Sequence, residues 1–452
     1  MHFYQVGGAV RDMLLHKSCQ DRDFVVTGGT EKEMLALGFK KVGKSFPVFL
    51  HPETGEEYAL ARREVKTGLG HCDFKFEFTP DITLEEDSLR RDFTCNALYR
   101  NPDTGEILDF HQGRDDIKKR VLRHISEHFA EDPLRVLRMC RFAAQLEFAV
   151  APETMALCRR MVEEGALAHL SRQRIWQEME KALGCRGFYL FVRTAHECGA
   201  LSVLLPEIGE LWNVPERRDY HPEGNSGEHT VLSLKAADTD DAMVNLAVLL
   251  HDVGKTATDP QKWPSHRGHD LLGAEIIGRI AARLQIPEAY VGFARYCALN
   301  HMVSHRPPAD AAKKLARIAV DLLRFHRPDY VERFIAVMSA DVRGRDKPFS
   351  RTEQKNFAAI AAMLERFYQK ASTLRFCEYP EFRQALEALK EQRFHILDEV
   401  KTVNIGNEMA VTLSIGIGLN GANYLQNYEY CRIAIEMALG RGGDQVVIKN
   451  GD

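Results

Sequence analysis

Two hydrophobic patterns divide the chain near residue 133. The first part contains short apolar runs of the kind that form strands, at residues 3–6, 24–26, 46–50, 57–61 and 107–109. In the part that follows, apolar residues recur at helical spacing over residues 134–143, 154–163, 172–183 and 188–198. The two patterns predict an α/β head followed by an all-α body.

Helical patterning resumes after a polar loop at residues 214–227 and continues to the segment 343–351. This polar, proline-containing segment has the composition of a domain boundary. Beyond it, residues 409–416 and 445–449 have strand patterns, and a helix is predicted between them over residues 428–439. The carboxy-terminal part is therefore predicted to be a small α/β segment.

The predicted fold class is α+β, with successive domains along the chain. The expected boundaries are a head over residues 1–132, a helical neck and body over 133–215, a further helical domain over 216–345, a linker over 346–371 and an α/β segment over 372–452. A length of 452 residues is typical of about three domains, each able to bury its own core.

Composition narrows the cellular setting and the kinds of partner. The ten cysteines include no Cys-x-x-Cys pair, which favours reduced thiols over a disulfide framework or a cysteine zinc site. No stretch is apolar enough for a membrane-spanning helix, and the residues after Met1 do not have a secretory signal pattern. We therefore expect a soluble cytoplasmic protein without a membrane partner. Because the formal net charge is −4, any nucleic acid must be bound by a local basic surface.

Glycines and aspartates near the amino terminus form the first group of chemical interest. Gly7 and Gly8 can present backbone N–H groups to an anion, and the guanidinium of Arg11 can bind a phosphate. Asp21 and Asp23 are two residues apart in an apolar run, so in a strand they would lie on one face and could hold one or two divalent cations. Paired carboxylates beside a phosphate-sized glycine turn predict nucleotidyl transfer.

Two further sets of polar residues complement this group. The first set comprises Arg91, Asp92 and Asn96. Its guanidinium, carboxylate and amide suit contacts with a triphosphate and with ribose hydroxyls. The second set comprises Asp132, Arg135 and Arg138. Its members are three residues apart at a predicted helix start, so they share one face and could pair with the Watson–Crick edge of a base.

In order and spacing, these motifs resemble those of the class II tRNA nucleotidyltransferases, the CCA-adding enzymes, in their HD-domain-bearing bacterial form. The resemblance covers residues 1 to about 347 and includes the segments 4–12, 21–23, 90–98 and 131–138. It implies that both aspartates bind Mg²⁺ and that Gly8, Arg11 and Arg91 contact ATP or CTP. It further implies that the second set belongs to a protein template that selects C and A.

The same resemblance implies a reaction. Template-independent addition of CCA to the 3′ ends of tRNA would use CTP and ATP, with Mg²⁺ assisting the nucleotidyl transfer. Poly(A) polymerases and enzymes that add only part of CCA share the head motifs, so they remain alternatives. Residues 61–87 match a loop that shifts in this family when C addition changes to A addition.

Histidines in the region 216–345 indicate a second metal site. His251 and Asp252 follow an apolar helix, and with His229 they supply the mixed nitrogen and oxygen ligands that suit a borderline divalent metal. Asp341 is the candidate fourth ligand. Four other histidines could line the site or only pack: His266, His269, His301 and His305.

This second region resembles the HD phosphohydrolase domains. The resemblance implies a divalent transition metal such as Ni²⁺, and phosphatase, 2′-nucleotidase and 2′,3′-cyclic phosphodiesterase activities on RNA ends. A metal-dependent phosphohydrolase with an inactive transferase half is therefore an alternative reading of the whole chain.

The last part of the chain resembles a different family. Residues 372–452 are similar to the carboxy-terminal half of a degenerate GGDEF domain, as found in membrane-anchored cyclic-di-AMP phosphodiesterases. The Gly442-Gly443-Asp444 triplet follows the last predicted helix and so does not correspond to the catalytic signature. Residues 374–378, where the signature is expected, lack its carboxylates. We expect neither cyclase activity nor cyclic-dinucleotide hydrolysis, and a nucleotide-signalling module is the alternative for this segment.

Overall fold

A computed structural model describes residues 1–18, 22–42, 47–66, 74–323, 325, 327–373, 415–419, 424–440 and 446–450. The chain forms two compact units. The first consists of Met1–Leu299 with Arg343–Lys347, and the second consists of Asn300–Val342 with Pro348–Asp452. The head and most of the helices that follow it therefore share one unit.

The head consists of short strands and short helices. Its described strands are β1 (His2–Val6), β2 (Asp23–Thr27), β3 (Lys40–Lys41), β4 (Val48–Leu50), β5 (Glu57–Leu60), β6 (Arg63–Lys66), β7 (Phe74–Glu77), β8 (Leu98–Arg100), β9 (Ile107–Asp109), β10 (Val121–Leu122) and β11 (Ala149–Val150). Its described helices are α1 (Gly8–Leu14), α2 (Glu31–Ala36), α3 (Leu84–Leu89) and α4 (Gly113–Lys119). Thr30 and Thr83 begin α2 and α3 with reciprocal caps to Glu33 and Glu86.

Seven of the described strands form one mixed sheet, in the order β3-β4-β5-β2-β1-β8-β9. Strand β2 is parallel to β5 and antiparallel to β1, which pairs Asp23 with Val6. Phe24 and Val26 belong to one buried cluster, whereas Val25 belongs to another. Because both faces of β2 are covered, its sequence is a continuous apolar run, and its first residue, Asp23, is exposed.

A helical body completes the first unit. Its helices are α5 (Leu134–Leu146), α6 (Pro152–Glu163), α7 (Arg172–Leu183), α8 (Phe188–Glu197), α9 (Ala200–Leu204), α10 (Pro206–Gly209), α11 (Ser226–Ala237), α12 (Ala242–Leu250), α13 (His269–Leu284) and α14 (Glu288–Asn300). Helix α5 packs against α7 and α8, and a buried ion pair between Arg141 and Glu178 joins α5 to α7. The predicted change from a mixed head to a helical body near residue 133 is confirmed.

The second unit corrects one sequence expectation. Its described elements are α15 (Pro308–Leu323), α16 (Asp329–Arg343), α17 (Arg351–Thr373), β12 (Ile415–Leu419), α18 (Tyr424–Gly440) and β13 (Val446–Asn450). The predicted linker over residues 346–371 is helical from Arg351 onward. Its apolar residues Ile360, Leu364 and Ala371 are spaced at whole helical turns and are buried, and α17 packs against α15.

The carboxy-terminal segment has the strand and helix types that its pattern predicts. Strands β12 and β13 are parallel neighbours, and Ala434 of α18 and Val447 of β13 form a small buried cluster. The predicted strand residues 409–414, the segment 374–378 and residues 442–444 lie outside the described residues. Within the described parts of the chain, no helix combines the length and the apolar character needed to cross a membrane.

The close approach of α8 to α5 provides a test of the packing. Gly184 and Gly187 have the same backbone conformation, φ −76° and ψ 15°, so alanine is compatible with the backbone at either position. A methyl group at position 187 would collide with the backbone carbonyl of Ala144, whereas at position 184 it would lie 3.7 Å from the carbonyl oxygen of Lys181.

We therefore expect G187A to lower the free energy of unfolding by about 1–3 kcal/mol, because the clash is with backbone that cannot rotate away. The matched control G184A should change it by less than about 0.5 kcal/mol. Urea unfolding followed by circular dichroism measures both values. Equal losses in the two variants would contradict this account of the α5–α8 contact.

Candidate active site and metal cluster

A cavity of about 750 Å³ lies within the first unit, between the head and the start of the helical body. It collects most of the site residues expected from the sequence: Gly8, Arg11, Asp23, Arg91, Asp92, Asn96, Asp132, Arg135 and Arg138. Among the described residues, eight arginines and four carboxylates line it. This excess of positive charge suits a triphosphate, which guanidinium groups bind through paired hydrogen bonds.

The turn between β1 and α1 forms one edge of the cavity. Gly7 has φ +75°, in the left-handed region that favours glycine. A Cβ at Gly8 would lie 3.4 Å from Nη2 of Arg11, in van der Waals contact with the guanidinium. Arg11 is buried and its Nη1 donates to Oδ1 of Asn96 at 2.6 Å. The glycine turn and a buried arginine therefore lie side by side at the cavity edge.

Asp23 is the one member of the expected carboxylate pair that lies among the described residues. It is the exposed first residue of β2, and it lines the cavity together with the two glycines. Asp21 lies outside the described residues. A carboxylate oxygen next to a cationic, phosphate-sized cavity fits a hard divalent cation such as Mg²⁺, which prefers oxygen ligands.

The carboxylate of Asp92 connects the head to α5. Its Oδ2 accepts from Nε of Arg138 at 2.8 Å, and its Oδ1 accepts from Nδ2 of Asn96 at 3.0 Å and from the backbone N–H of Phe93 at 2.8 Å. Burial alone would raise the pKa of Asp92, but Arg138 and Asn96 outweigh burial and lower it to about 2. Since Asn96 also accepts from Arg11, one network fixes two cavity arginines.

A second buried carboxylate, that of Asp87, holds two further cavity arginines in place. Its Oδ1 accepts from Nη2 of Arg90 at 2.7 Å, and its Oδ2 accepts from Nη2 of Arg91 at 3.0 Å and from the hydroxyl of Tyr99 at 2.9 Å. Burial opposes ionisation, yet the two arginines hold the pKa of Asp87 well below its usual range. The backbone N–H of Arg62 also donates to Asp87, which ties the start of the loop over residues 61–87 to this network. Residues 67–73 of that loop lie outside the described residues.

The expected base reader lies at the start of α5. Asp132 precedes the helix, and its two oxygens accept from Nη2 of Arg174 at 3.2 Å and 3.0 Å. Arg135 donates to the backbone carbonyls of His128 and Arg90, so its guanidinium is held in place by the head. The carboxylate and the guanidinium are therefore both fixed in orientation on the cavity wall.

Sequence reasoning did not single out Arg141, Gln145 or Arg174 as site residues, yet all three line the cavity. The spacing of three residues from Asp132 to Arg138 continues to Arg141, so the helical pattern could have identified that residue. Arg174 is on another helix, α7, and only the tertiary fold brings it to Asp132.

A separate cluster of metal-ligand type lies in the helical body. Nε2 of His251 is 3.2 Å from Oδ2 of Asp252, and Nε2 of His229 is 3.8 Å from the same oxygen. One ligand atom from each of these three buried residues lies within 4.8 Å of the other two. Two imidazole nitrogens and a carboxylate fit a borderline divalent metal of the transition series.

Hydrogen bonds at Nδ1 fix the orientation of two histidine rings in this cluster. Nδ1 of His229 hydrogen-bonds to Oε1 of Glu223 at 3.2 Å, and Nδ1 of His251 hydrogen-bonds to the carbonyl oxygen of Val248 at 2.7 Å. When Nδ1 donates to an oxygen, Nε2 presents its lone pair to a cation. The ammonium of Lys255 lies 2.7 Å from Oδ2 of Asp252 and offsets its charge.

The other candidate ligands are divided between the two units. In the first unit, Nε2 of His269 is 3.4 Å from Oδ1 of Asp252, whereas His266 hydrogen-bonds to the carbonyl oxygen of Pro215. Asp341, His301 and His305 belong to the second unit. There, Nε2 of His305 is 2.9 Å from Oδ2 of Asp341. The assignment of Asp341 as the fourth ligand stays a prediction.

Three sequence families match successive parts of the chain. Residues 3–123 match the poly A polymerase head domain, and residues 147–211 match the probable RNA and SrmB-binding site of polymerase A. Residues 349–452 match the GGDEF domain of proteins like the cyclic-di-AMP phosphodiesterase GdpP. The last match begins before residue 372, where the sequence analysis placed the start of that resemblance.

Curated relatives match most of the chain. The multifunctional CCA protein of Alkalilimnicola ehrlichii is 42% identical over 408 residues, covering 88% of this chain and 97% of the relative. That of Nitrosococcus oceani is 45% identical over 372 residues, covering 80% of this chain and 90% of the relative. Because the first match covers 88% of the chain, it continues past residue 348 into the part that the GGDEF family also matches.

Solved structures share the fold at low sequence identity. The Bacillus stearothermophilus CCA-adding enzyme in complex with CTP aligns with a TM-score of 0.53 and 22% identity, covering 89% of this chain and 90% of the other. The Thermotoga maritima CCA-adding enzyme complexed with tRNA aligns with a TM-score of 0.50 and 20% identity, covering 82% and 79%. The α+β architecture with its head fold is thereby confirmed.

The ion pair between Asp92 and Arg138 predicts a pH-dependent stability. A carboxyl group whose pKa is lower in the folded than in the unfolded chain stabilises the folded state. This stabilisation is fully present at pH values above the pKa of the unfolded chain, about 3.9 for aspartate. That stabilisation is lost as the pH falls towards the pKa of Asp92 in the folded chain, about 2. We expect D92N to lower the free energy of unfolding by about 2 kcal/mol at pH 7, because Arg138 loses its ionised partner.

Urea unfolding at several pH values between 7 and 3 measures this difference. The difference in free energy of unfolding between the natural chain and D92N should be constant down to about pH 5 and should decrease below that pH. D103N, at an exposed aspartate, is the matched control and should follow the natural chain. A gap that stays constant down to pH 3 would contradict the assignment.

Proposed function

The chain belongs to the family of the multifunctional CCA proteins, and from that premise we propose that it adds C and A nucleotides to the 3′ ends of tRNA, using CTP and ATP. The observation that carries this proposal is that, among the described residues, one cavity brings together the carboxylate of Asp23, eight arginines and a potential base reader. These are the parts that template-independent nucleotidyl transfer requires.

In the proposed reaction, the 3′-oxygen of tRNA loses its proton to solvent and attacks the α-phosphorus of the bound nucleotide. The bond from that phosphorus to the oxygen bridging to the β-phosphate breaks, and pyrophosphate leaves with its electrons. Arg11 and Arg91, fixed by Asn96 and Asp87, would stabilise the negative charge that develops on the phosphate oxygens. No side chain needs to form a covalent bond to the substrate. Asp23, with Asp21, would hold Mg²⁺, which when bound supplies Lewis-acid stabilisation of the entering and leaving oxygens.

The addition reaction has a direct test. The full chain is incubated with tRNA that lacks its 3′ CCA, together with CTP, ATP and Mg²⁺, and the product length is read on a gel. We expect three added nucleotides with the natural chain, and a rate at least about a hundredfold lower with D23N, because a metal-binding carboxylate is lost. D103N removes an exposed carboxylate outside the cavity and should retain the full rate.

Each other outcome points elsewhere. Long A tracts would identify a poly(A) polymerase, and products that end at C or contain only A would identify a partial enzyme. Absence of any product from the natural chain would reject nucleotidyl transfer itself. An unchanged rate with D23N would reject its role at the metal.

For the histidine cluster we propose a second activity, metal-dependent hydrolysis of phosphate esters at RNA 3′ ends. His229, His251 and Asp252 would hold a divalent transition metal such as Ni²⁺, which when bound supplies an activated water molecule. Glu223 and the carbonyl of Val248 orient the two rings. The support for this proposal is the donor set, since its imidazole nitrogens distinguish it from the carboxylate oxygen that Asp23 offers in the head cavity.

Paired variants separate the two proposed activities. H251A combined with D252A should abolish hydrolysis of 2′,3′-cyclic AMP and lower the retained transition metal by at least tenfold, while CCA addition continues. D23N should slow CCA addition and leave the hydrolysis of 2′,3′-cyclic AMP unchanged. D259A removes an exposed carboxylate of the same region and should change neither. Loss of both activities in the histidine variant, or retention of the metal, would refute the assignment.

A further inference from the structure

The carboxylate of Asp132 is bound by a side chain from a distant part of the sequence. Arg174 lies in the first turn of α7, whose helix begins with Ser171 as an N-cap that accepts from the backbone N–H of Arg174. Its Nη2 donates to both oxygens of Asp132. Both residues line the cavity, and their side chains are 41% and 33% exposed, so the pair is accessible to a ligand there.

The start of α5 also holds the carboxylate of Asp132. Oδ1 of Asp132 also accepts from the backbone N–H of Leu134, at 3.1 Å, in the first turn of α5. With one oxygen bound to the helix start and both bound to Arg174, the carboxylate plane has a single orientation. An unrestrained aspartate could rotate about its side-chain bonds and present either edge to the cavity.

A carboxylate held in one orientation can distinguish between the bases. An ionised carboxylate only accepts hydrogen bonds. On the Watson–Crick edge, cytosine and adenine each carry an exocyclic amino group that donates, whereas uracil and guanine carry a carbonyl oxygen at the corresponding position. A carboxylate that cannot rotate away therefore attracts the first pair of bases and repels the second pair.

We infer that Arg174 is a positioning residue for base selection, which holds the carboxylate of Asp132 against rotation so that nucleotides with an exocyclic amino group are accepted and those with a carbonyl are rejected. This inference rests on the proposed function for the identity of the substrate. It assigns to Arg174 no contact with the reacting atoms.

The neighbouring cavity arginines have hydrogen-bond acceptors of their own. Arg138 donates to Asp92, and Arg135 donates to backbone carbonyls of the head. Arg174 donates to both oxygens of the carboxylate expected to face the base.

The test compares nucleotide binding by the full-length natural chain with that by R174Q, R174K and R172Q. Arg172 is exposed in the same helical turn, so R172Q is the matched control. Isothermal calorimetry in the presence of Mg²⁺ and without tRNA gives the Kd for CTP and for UTP. Relative kcat/KM values for CTP and UTP incorporation, and the KM for tRNA, form the second readout.

For the natural chain we expect CTP to bind at least about tenfold more tightly than UTP, and we expect R174Q to reduce this ratio by about tenfold. R174K retains a cation and should recover part of the ratio, whereas R172Q should leave it unchanged. The KM for tRNA should be the same in all four proteins, since the affected contact is within the protein.

The inference is overturned if the natural chain binds CTP and UTP equally, or if R174Q keeps the natural ratio. A raised KM for tRNA with an unchanged ratio would make Arg174 an RNA contact instead. A lower melting temperature with an unchanged ratio would make it purely structural. If no protein incorporates nucleotides but the binding ratio depends on Arg174, the proposed function fails while the inference about base reading stands.

Discussion

The cavity depends on two buried carboxylates that allow many arginines to share one small space. Guanidinium groups repel one another, and an arginine removed from water without a partner is costly. Asp87 and Asp92 resolve this conflict: each is buried, each stays ionised against the effect of burial, and each binds guanidiniums that line the cavity. The arginines are thereby fixed before a ligand arrives, which is the arrangement that stabilises developing charge at the lowest reorganisation cost.

The same carboxylates join parts of the fold that are far apart in sequence. Arg11 in α1 donates a hydrogen bond to Asn96, and both Asn96 and Arg138 in α5 donate to Asp92. The glycine turn of the head and the first helix of the body are therefore held in one network. Since Arg11 is suited to phosphate and the face of Arg138 is suited to a base, a nucleotide bound at this boundary would be fixed at both ends by a common set of contacts. A change in one carboxylate should then affect phosphate and base recognition together.

Much of the head and of the cavity could be predicted from the sequence, because these features depend on the spacing of residues within a single strand or helix. The apolar run after Asp23 predicted a strand, which the structure shows with Asp23 exposed at its start, and the three-residue spacing from Asp132 to Arg138 predicted a shared helical face. Arg174, Asp87 and Glu223 had no such signal, since their roles arise from contacts made by the tertiary fold. The helix α17 was interpreted as a linker because its polar start conceals the buried positions Ile360 and Leu364, which become apparent only against α15.

The two candidate metal sites of the first unit differ in the ligand atoms that they offer. The head offers carboxylate oxygen at Asp23 beside a cationic wall, a setting for a hard cation that also binds phosphate. The helical body offers imidazole nitrogens at His229 and His251, with Glu223 behind one of them to fix its orientation. Because nitrogen ligands favour transition metals and oxygen ligands favour Mg²⁺, the two sets of ligand atoms suit different ions. In the histidine cluster, Lys255 contacts both Asp252 and Glu216, whereas in the head cavity arginines bind Asp87 and Asp92. The ion pairs at the two sites are made by different residues, so a substitution at one should leave the chemistry of the other intact.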